Sequence, residues 1–175
     1  IVRIDQETAA GLTADDVEKI WRKAEKLLEL VDIVILSDYN KGFLGRNLVW
    51  RLITAAVKLG KKILADPKGN DYTKYSGATI LTPNKYEVAE VCGGLDYSDG
   101  GSLSQGGNNL RRELKLEALL ITRGEDGMTL LEEGKPPVHL SASARNVYDV
   151  TGAGDTVIAT LATAIAAGET FKNAA

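Results

Sequence analysis

Asp32-Ile33-Val34-Ile35-Leu36, then a polar loop Ser37-Asp38-Tyr39-Asn40-Lys41-Gly42, a helically spaced run from about Arg46 to Leu59, Gly60, and Lys62-Ile63-Leu64-Ala65 form the stretch on which the fold turns. The first segment is short and wholly apolar. Such a strand is buried on both faces, as in a parallel sheet, rather than alternating between core and water. The helical run that follows stops at Gly60, a residue that accepts the left-handed conformation at a helix end. A second apolar strand comes directly after it. Two parallel strands need a crossover of a dozen or more residues between them, and a helix of this length supplies one.

The same alternation extends in both directions. Upstream, Thr13-Ala14-Asp15-Asp16 has the character of a capping box, and Val17, Ile20, Trp21, Ala24, Leu27 and Leu28 recur at helical spacing to about Leu30. Downstream, Thr79-Ile80-Leu81-Thr82 reads as a strand, with Pro83-Asn84 opening a helix to about Val91. The stretch from Gly93 to Gly107 holds six glycines and reads as a flexible loop or a weakened helix start, with a helix over Leu110 to Leu116. Ala118 to Thr122 is a core strand; Met128 to Leu131 and Val138 to Leu140 are two more, and Gly154 to Ala167 is a helix of small residues. Strands alternating with helices imply an α/β layered fold around a mostly parallel sheet. Ile1-Val2-Arg3-Ile4-Asp5 reads as a strand already under way and Phe171 to Ala175 as the opening of another helix, so the chain reads as part of a longer polypeptide.

The 175 residues suffice for one domain with a sizeable core, and 44% hydrophobic with 26% charged residues is ordinary for a globular protein. The net charge of -3 gives no basic excess for a nucleic acid or an anionic membrane. Any phosphate must therefore be held by local geometry. The single cysteine, Cys92, excludes an intrachain disulfide and a zinc cluster, and fits a reducing cytoplasm.

Gly152-Ala153-Gly154-Asp155 stands just ahead of the small-residue helix. Two glycines and an alanine leave the backbone bare, so its N–H groups can approach an anion at the positive end of the helix. Asp155 in the same turn is badly placed to bind phosphate, because like charges repel. It is well placed to take a proton from a hydroxyl attacking that phosphate. Phosphate cradle and base together describe phosphoryl transfer to an alcohol. For a bare G-x-G-D, a glycine-rich loop with an aspartate cap is an equally good account.

The longer run Asp149-Val150-Thr151-Gly152-Ala153-Gly154-Asp155 resembles in full the Asp-Thr/Val-x-Gly-Ala-Gly-Asp signature of the ribokinase-like, or PfkB, carbohydrate kinases. Thr82-Pro83-Asn84-Lys85-Tyr86-Glu87 resembles their Asn-x-x-Glu motif, and Thr122-Arg123-Gly124 their Thr-x-Gly segment. Ser37 to Gly42 and Asp66-Pro67-Lys68-Gly69-Asn70-Asp71-Tyr72 look like the D-glycero-β-D-manno-heptose 7-phosphate kinases, which serve ADP-heptose synthesis for lipopolysaccharide.

This resemblance implies a single ribokinase-like domain over residues 1–175, the C-terminal larger part of a kinase domain, with residues 1–8 a remnant of a sugar-binding lid. It implies ATP as phosphoryl donor and Mg²⁺ as cofactor. Asp155 becomes the base and Gly152, Ala153 and Gly154 the anion hole. Asn84 and Glu87 take a water-mediated role around Mg²⁺ and phosphate, although their spacing alone favours a capping box. Thr122 and Gly124 touch nucleotide phosphates at a strand end. Lys68 neutralises phosphate charge, a solvated surface lysine being the alternative. Asp38 and Lys41 face the sugar, Lys41 meeting its phosphate. Asp149 helps a monovalent cation, K⁺, beside the anion hole. The expected partners are ATP and a sugar phosphate, with a homodimer formed through the lid. Rival readings are another sugar or nucleoside kinase of the family, or a nucleotide-binding domain without catalysis. His139, on a strand, reads as a surface or pairing residue.

Overall fold

The computed structural model describes residues 11–94, 100–142 and 152–175. The Arg3-Ile4-Asp5 strand, the lid remnant at residues 1–8, and Asp149 to Thr151 lie outside these residues. The elements in chain order are α1 (Ala14–Leu28), β1 (Ile33–Ser37), α2 (Arg46–Lys58), β2 (Lys62–Asp66), β3 (Ile80–Leu81), α3 (Lys85–Val91), α4 (Gly100–Glu113), β4 (Ala118–Thr122), β5 (Met128–Glu132), β6 (Val138–Leu140), α5 (Ala153–Ala166) and α6 (Phe171–Ala174).

The strands lie in the order in which the chain makes them, β1-β2-β3-β4-β5-β6. The first four are parallel and the last two antiparallel. A crossover keeps one hand, so a sheet laid down strand beside strand in one direction receives its crossover helices on one face. Side chains alternate across the sheet accordingly. Ile63, Ala65, Leu119, Ile121 and Leu131 face one core with Trp21, Leu48, Val49, Leu103 and Leu110 of α1, α2 and α4. Leu64, Ile80, Ala118, Leu120 and Leu130 face the other, with Ile158, Leu161 and Ala162 of α5 and Ala174 of α6. The helix bearing the glycine turn thus lies, with α6, on the second face.

Local chemistry starts and stops the helices as read. The Thr13 hydroxyl accepts from the Asp16 amide at 3.2 Å while the Asp16 carboxylate accepts from the Thr13 amide, closing the capping box of α1. Lys58 ends α2, and Gly60 follows at φ 67°.

Two readings need correction. The glycine-rich stretch is helical from Gly100, and the helix ends at Glu113 rather than Leu116, because Lys115 turns to φ 56°. Gly107 gives the reason. A Cβ there would stand 2.6 Å from Leu131 Cδ1 and 2.9 Å from Ile121 Cδ1. The glycine lets α4 lie close on β4 and β5, so it is a packing residue rather than a turn signal. The second correction is a 3-10 turn over Tyr72–Tyr75, where the sequence suggested no element. Both tyrosines are buried, with rings edge to face at 6.0 Å between centroids.

Candidate active site

The C-terminal ends of β1 to β4 converge with the N-terminus of α5, which is where open α/β sheets bind ligands. Each strand delivers a polar residue as it leaves the core. β1 leads to Asp38, β2 ends on Asp66 with Lys68 just beyond, β3 leads to Asn84, and β4 ends on Thr122. An isolated bridge pairs Asn84 with Thr122, and the Thr122 amide donates to the Pro83 carbonyl at 2.9 Å, so these two exits are locked side by side.

Gly152 caps α5 from φ 76°, in the left-handed region that only glycine enters without strain. Gly152 has no side chain with which to cap this end of the helix. Asp155 lies in the first turn and is exposed. A Cβ at Gly154 would stand 3.9 Å from Asp66 Oδ2, so the bare turn lies directly against the end of β2.

Six of the expected residues line one cavity of about 430 Å³: Lys68, Asn84, Glu87, Thr122, Gly124 and Gly154. Asn84 and Glu87 also form the capping box that their spacing suggested. Asn84 Oδ1 accepts from the Tyr86 and Glu87 amides, each at 2.9 Å, and Glu87 Oε2 accepts from the Asn84 amide at 2.8 Å. The other carboxylate oxygen of Glu87 takes the Lys68 ammonium. Lys68 is therefore no solvated surface lysine. It stands between Glu87 and Asp66, 4.0 Å from Asp66 Oδ1. Burial pulls its pKa down, but the Glu87 bond and the charges of Asp66, Glu87 and Asp155 outweigh that and hold it raised.

Asp66 carries the clearest perturbation among these groups. Burial pushes its carboxyl up to about 6; Lys68 opposes this, while Glu87, Asp155 and Asp38 add to it. Sequence reading passed over Asp66, because the three carboxylates that crowd it, Glu87, Asp155 and Asp38, come from three distant parts of the chain. Arg123 was also missed; its Nε is buried at the same cavity and has no hydrogen-bond partner among the described residues.

Asp38 is 3% exposed and turned inward. It accepts from the Lys74 ammonium, from the Tyr75 hydroxyl, and from the Asn40 amide at 2.8 Å. Burial raises its pKa, but these donors together bring it below the ordinary carboxylate value. Lys41 is exposed in the same loop, whose neighbours Asn40 and Gly42 line a second cavity of about 320 Å³. Lys68 borders both cavities. Between them, the Tyr39 hydroxyl reaches 3.4 Å from each carboxylate oxygen of Asp155. A larger hollow of about 630 Å³, between the 3-10 turn, α3 and α4, contains none of the expected site residues. His139 pairs across the strands with Thr129, Nδ1 to Oγ1 at 3.0 Å. Asp149 lies outside the described residues. Among those residues no group of three His, Cys, Asp or Glu side chains is placed to hold a metal ion, and no helix is long and apolar enough to cross a membrane.

Comparison with known proteins bears on the family and the fold. The chain is 49% identical over 174 residues to the bifunctional protein HldE of Chromohalobacter salexigens, covering 99% of this chain and 35% of that protein. It is 56% identical over 142 residues to HldE of Nitrosococcus oceani, covering 81% and 29%. The chain thus spans about a third of the length of these curated relatives. Among solved structures, Arabidopsis thaliana ribokinase complexed with ribose and ATP matches with a TM-score of 0.73 at 24% identity, over 94% of this chain and 50% of that one. Phosphofructokinase-2 from Escherichia coli in complex with potassium matches with a TM-score of 0.76 at 15% identity, over 94% and 53%. At these identities the structures establish the ribokinase-like fold. Residues 2–175 match the pfkB family carbohydrate kinases along their whole extent, and the chain belongs to that family.

Proposed function

We propose that this chain forms the phosphotransfer centre of an ATP-dependent sugar kinase, and that the acceptor is the anomeric C1 hydroxyl of D-glycero-β-D-manno-heptose 7-phosphate. The observation that carries the reading is the bare glycine turn of α5, set against Asp66 with Asp155 in the same turn. First-turn backbone donors and a carboxylate that shares their turn serve transfer from a phosphate to a hydroxyl better than simple anion binding, which the carboxylate opposes.

In this mechanism the acceptor hydroxyl gives its proton to Asp155 as its oxygen attacks the γ-phosphorus of ATP. The bond from that phosphorus to the β–γ bridging oxygen breaks, and ADP leaves with the bridging electrons. The backbone of Gly152, Ala153 and Gly154 meets the charge that builds on the transferring group. Lys68, Thr122, Gly124 and the buried Nε of Arg123 face the nucleotide phosphates from the 430 Å³ cavity. Asp38 anchors the loop on the acceptor side, and Lys41 meets the sugar's own phosphate.

The donor set suits Mg²⁺. Asp66 and Glu87 offer hard oxygen atoms, and a phosphate chain arriving beside them needs a divalent cation between the like charges. Asn84 and Glu87 keep their capping bonds if they act through the ion's waters. When bound, Mg²⁺ neutralises the phosphate oxygens. Asp149 is the proposed ligand of a K⁺ ion.

The relatives named HldE support a heptose-related kinase. A cytoplasmic role in supplying activated heptose for lipopolysaccharide belongs to the same proposal. The reading includes a homodimer formed through a sugar-binding lid. A panel of sugars and sugar phosphates with ATP, run on the full-length protein, tests the acceptor. Heptose 7-phosphate should give the 1,7-bisphosphate with a kcat/KM at least about a hundredfold above ribose, fructose 6-phosphate and nucleosides. Equal or better turnover of one of those would assign the centre to another sugar or nucleoside kinase.

A further inference from the structure

We infer that Tyr39 is a positioning residue for the Asp155 base, held over it by the buried Asp38 network. This rests on the reading of Asp155 given above. The Tyr39 hydroxyl donates to the carboxylate from 3.4 Å to either oxygen, bridging 116 residues of sequence. It comes from the loop after β1, whereas Asp155 belongs to the turn that opens α5. The contact therefore ties two independently built halves of the site together.

The backbone around Tyr39 is shaped for this task. Asp38 sits at the exit of β1 with its amide donating to the Asp66 carbonyl at 3.1 Å, extending the parallel ladder one step past the strand. Its carboxylate faces inward and draws in the Asn40 amide, leaving Asn40 at φ 54°. Lys74 and Tyr75, both from the 3-10 turn, fix the same carboxylate from below. Residues 38 and 40 are pinned, so the intervening side chain is thrown outward, and the Tyr39 ring is 60% exposed. A buried ion pair contributes little net stability beyond what an apolar core would give. Its use here is geometric: it fixes a phenol in a loop that apolar packing alone would leave loose.

The consequence for the reaction is orientation. A carboxylate on a first-turn aspartate rotates freely unless something holds it. A donor that straddles both oxygens sets the carboxylate plane, and either oxygen can turn to the acceptor hydroxyl while the other keeps the phenol. Among the described residues, charged groups at this sheet edge include Asp66 and Lys68 at β2, Glu87 on α3, Asp38 after β1 and Lys41 in the loop that carries Tyr39. Lys68 is bonded to Glu87, and Asp66, Glu87 and Asp38 are carboxylates. The phenol is a neutral donor, so it holds Asp155 without adding charge to the phosphate path.

The test uses the full-length protein with ATP and heptose 7-phosphate. Tyr39→Phe keeps the ring and loses the donor. It should lower kcat about tenfold, with the KM for ATP unchanged and the melting temperature unchanged. Tyr39→Leu should fall by the same factor, because the hydroxyl and not the ring is at work. In an Asp155→Asn background, Tyr39→Phe should bring no further loss, since the two act through one contact. A Tyr39→Phe enzyme with wild-type kcat, or one whose loss adds in full to that of Asp155→Asn, would overturn the assignment. Full activity of Asp155→Asn alone would instead overturn the base, which separates the two failures.

Discussion

Among single residues, Asp66 and Asp38 show how one sheet edge treats a partly buried and a buried carboxylate in opposite ways. Asp66 has gained too little from Lys68, at 4.0 Å, to offset its burial and its acidic neighbours, so it titrates at about 6. A carboxyl raised in the folded state binds more protons there than in the unfolded chain. Stability therefore falls as pH rises from about 4 to about 6, and levels off above that. Asp66→Asn removes the effect. It should raise stability at pH 7.5 by roughly 1–3 kcal/mol and leave it unchanged near pH 4, measured by urea unfolding at both values. Asp38 is the reverse case. Its donors lower its pKa, so its contribution is present above the ordinary carboxylate value and is lost as pH falls through the lowered one. Lys74→Met strands this carboxylate in the core and should cost about 3 kcal/mol at pH 7, shrinking as Asp38 becomes protonated in acid. The motif residues were legible because each sits at a strand exit or helix start, where spacing along the chain equals spacing in the fold. Asp66 and Tyr39 were not, since what distinguishes them is proximity to groups far away in sequence.

Among the elements, the strands and the longer helices follow from apolar period alone, and their ends fall within a residue or two of those expected. The exceptions have one cause. Gly107 looked like punctuation because a sequence does not reveal whether a glycine makes room for a turn or for a neighbour. Here it makes room for Leu131 and Ile121. The 3-10 turn at Tyr72–Tyr75 is set by the burial of two tyrosines and the Asp71 cap, neither of which has a period. The glycines of α4 accordingly divide by position. Gly107→Val should destabilise the protein by about 2 kcal/mol or more through overpacking. Gly100→Ala, with nothing within 4 Å of its new methyl group, should stabilise it by about 0.5 kcal/mol. Thermal unfolding of the two variants beside the parent checks both signs.

At the level of the whole molecule, laying the strands down in order places every parallel strand exit along one edge. Sending α5 to the opposite face lets its N-terminus close over that edge. Asp66 and Lys68 stand where the two approaches meet, Lys68 bordering both cavities. Lys68→Met should thus raise the KM for ATP about tenfold while disturbing the fold little, in steady-state kinetics of the full-length protein. The account as a whole depends most on Asp155. The decisive measurement is single-turnover transfer from ATP to heptose 7-phosphate by the full-length Asp155→Asn protein, with ATP affinity measured in parallel. The account predicts that transfer falls by about 10²- to 10⁴-fold while ATP binds within a few-fold of wild type. Transfer at the wild-type rate would contradict it.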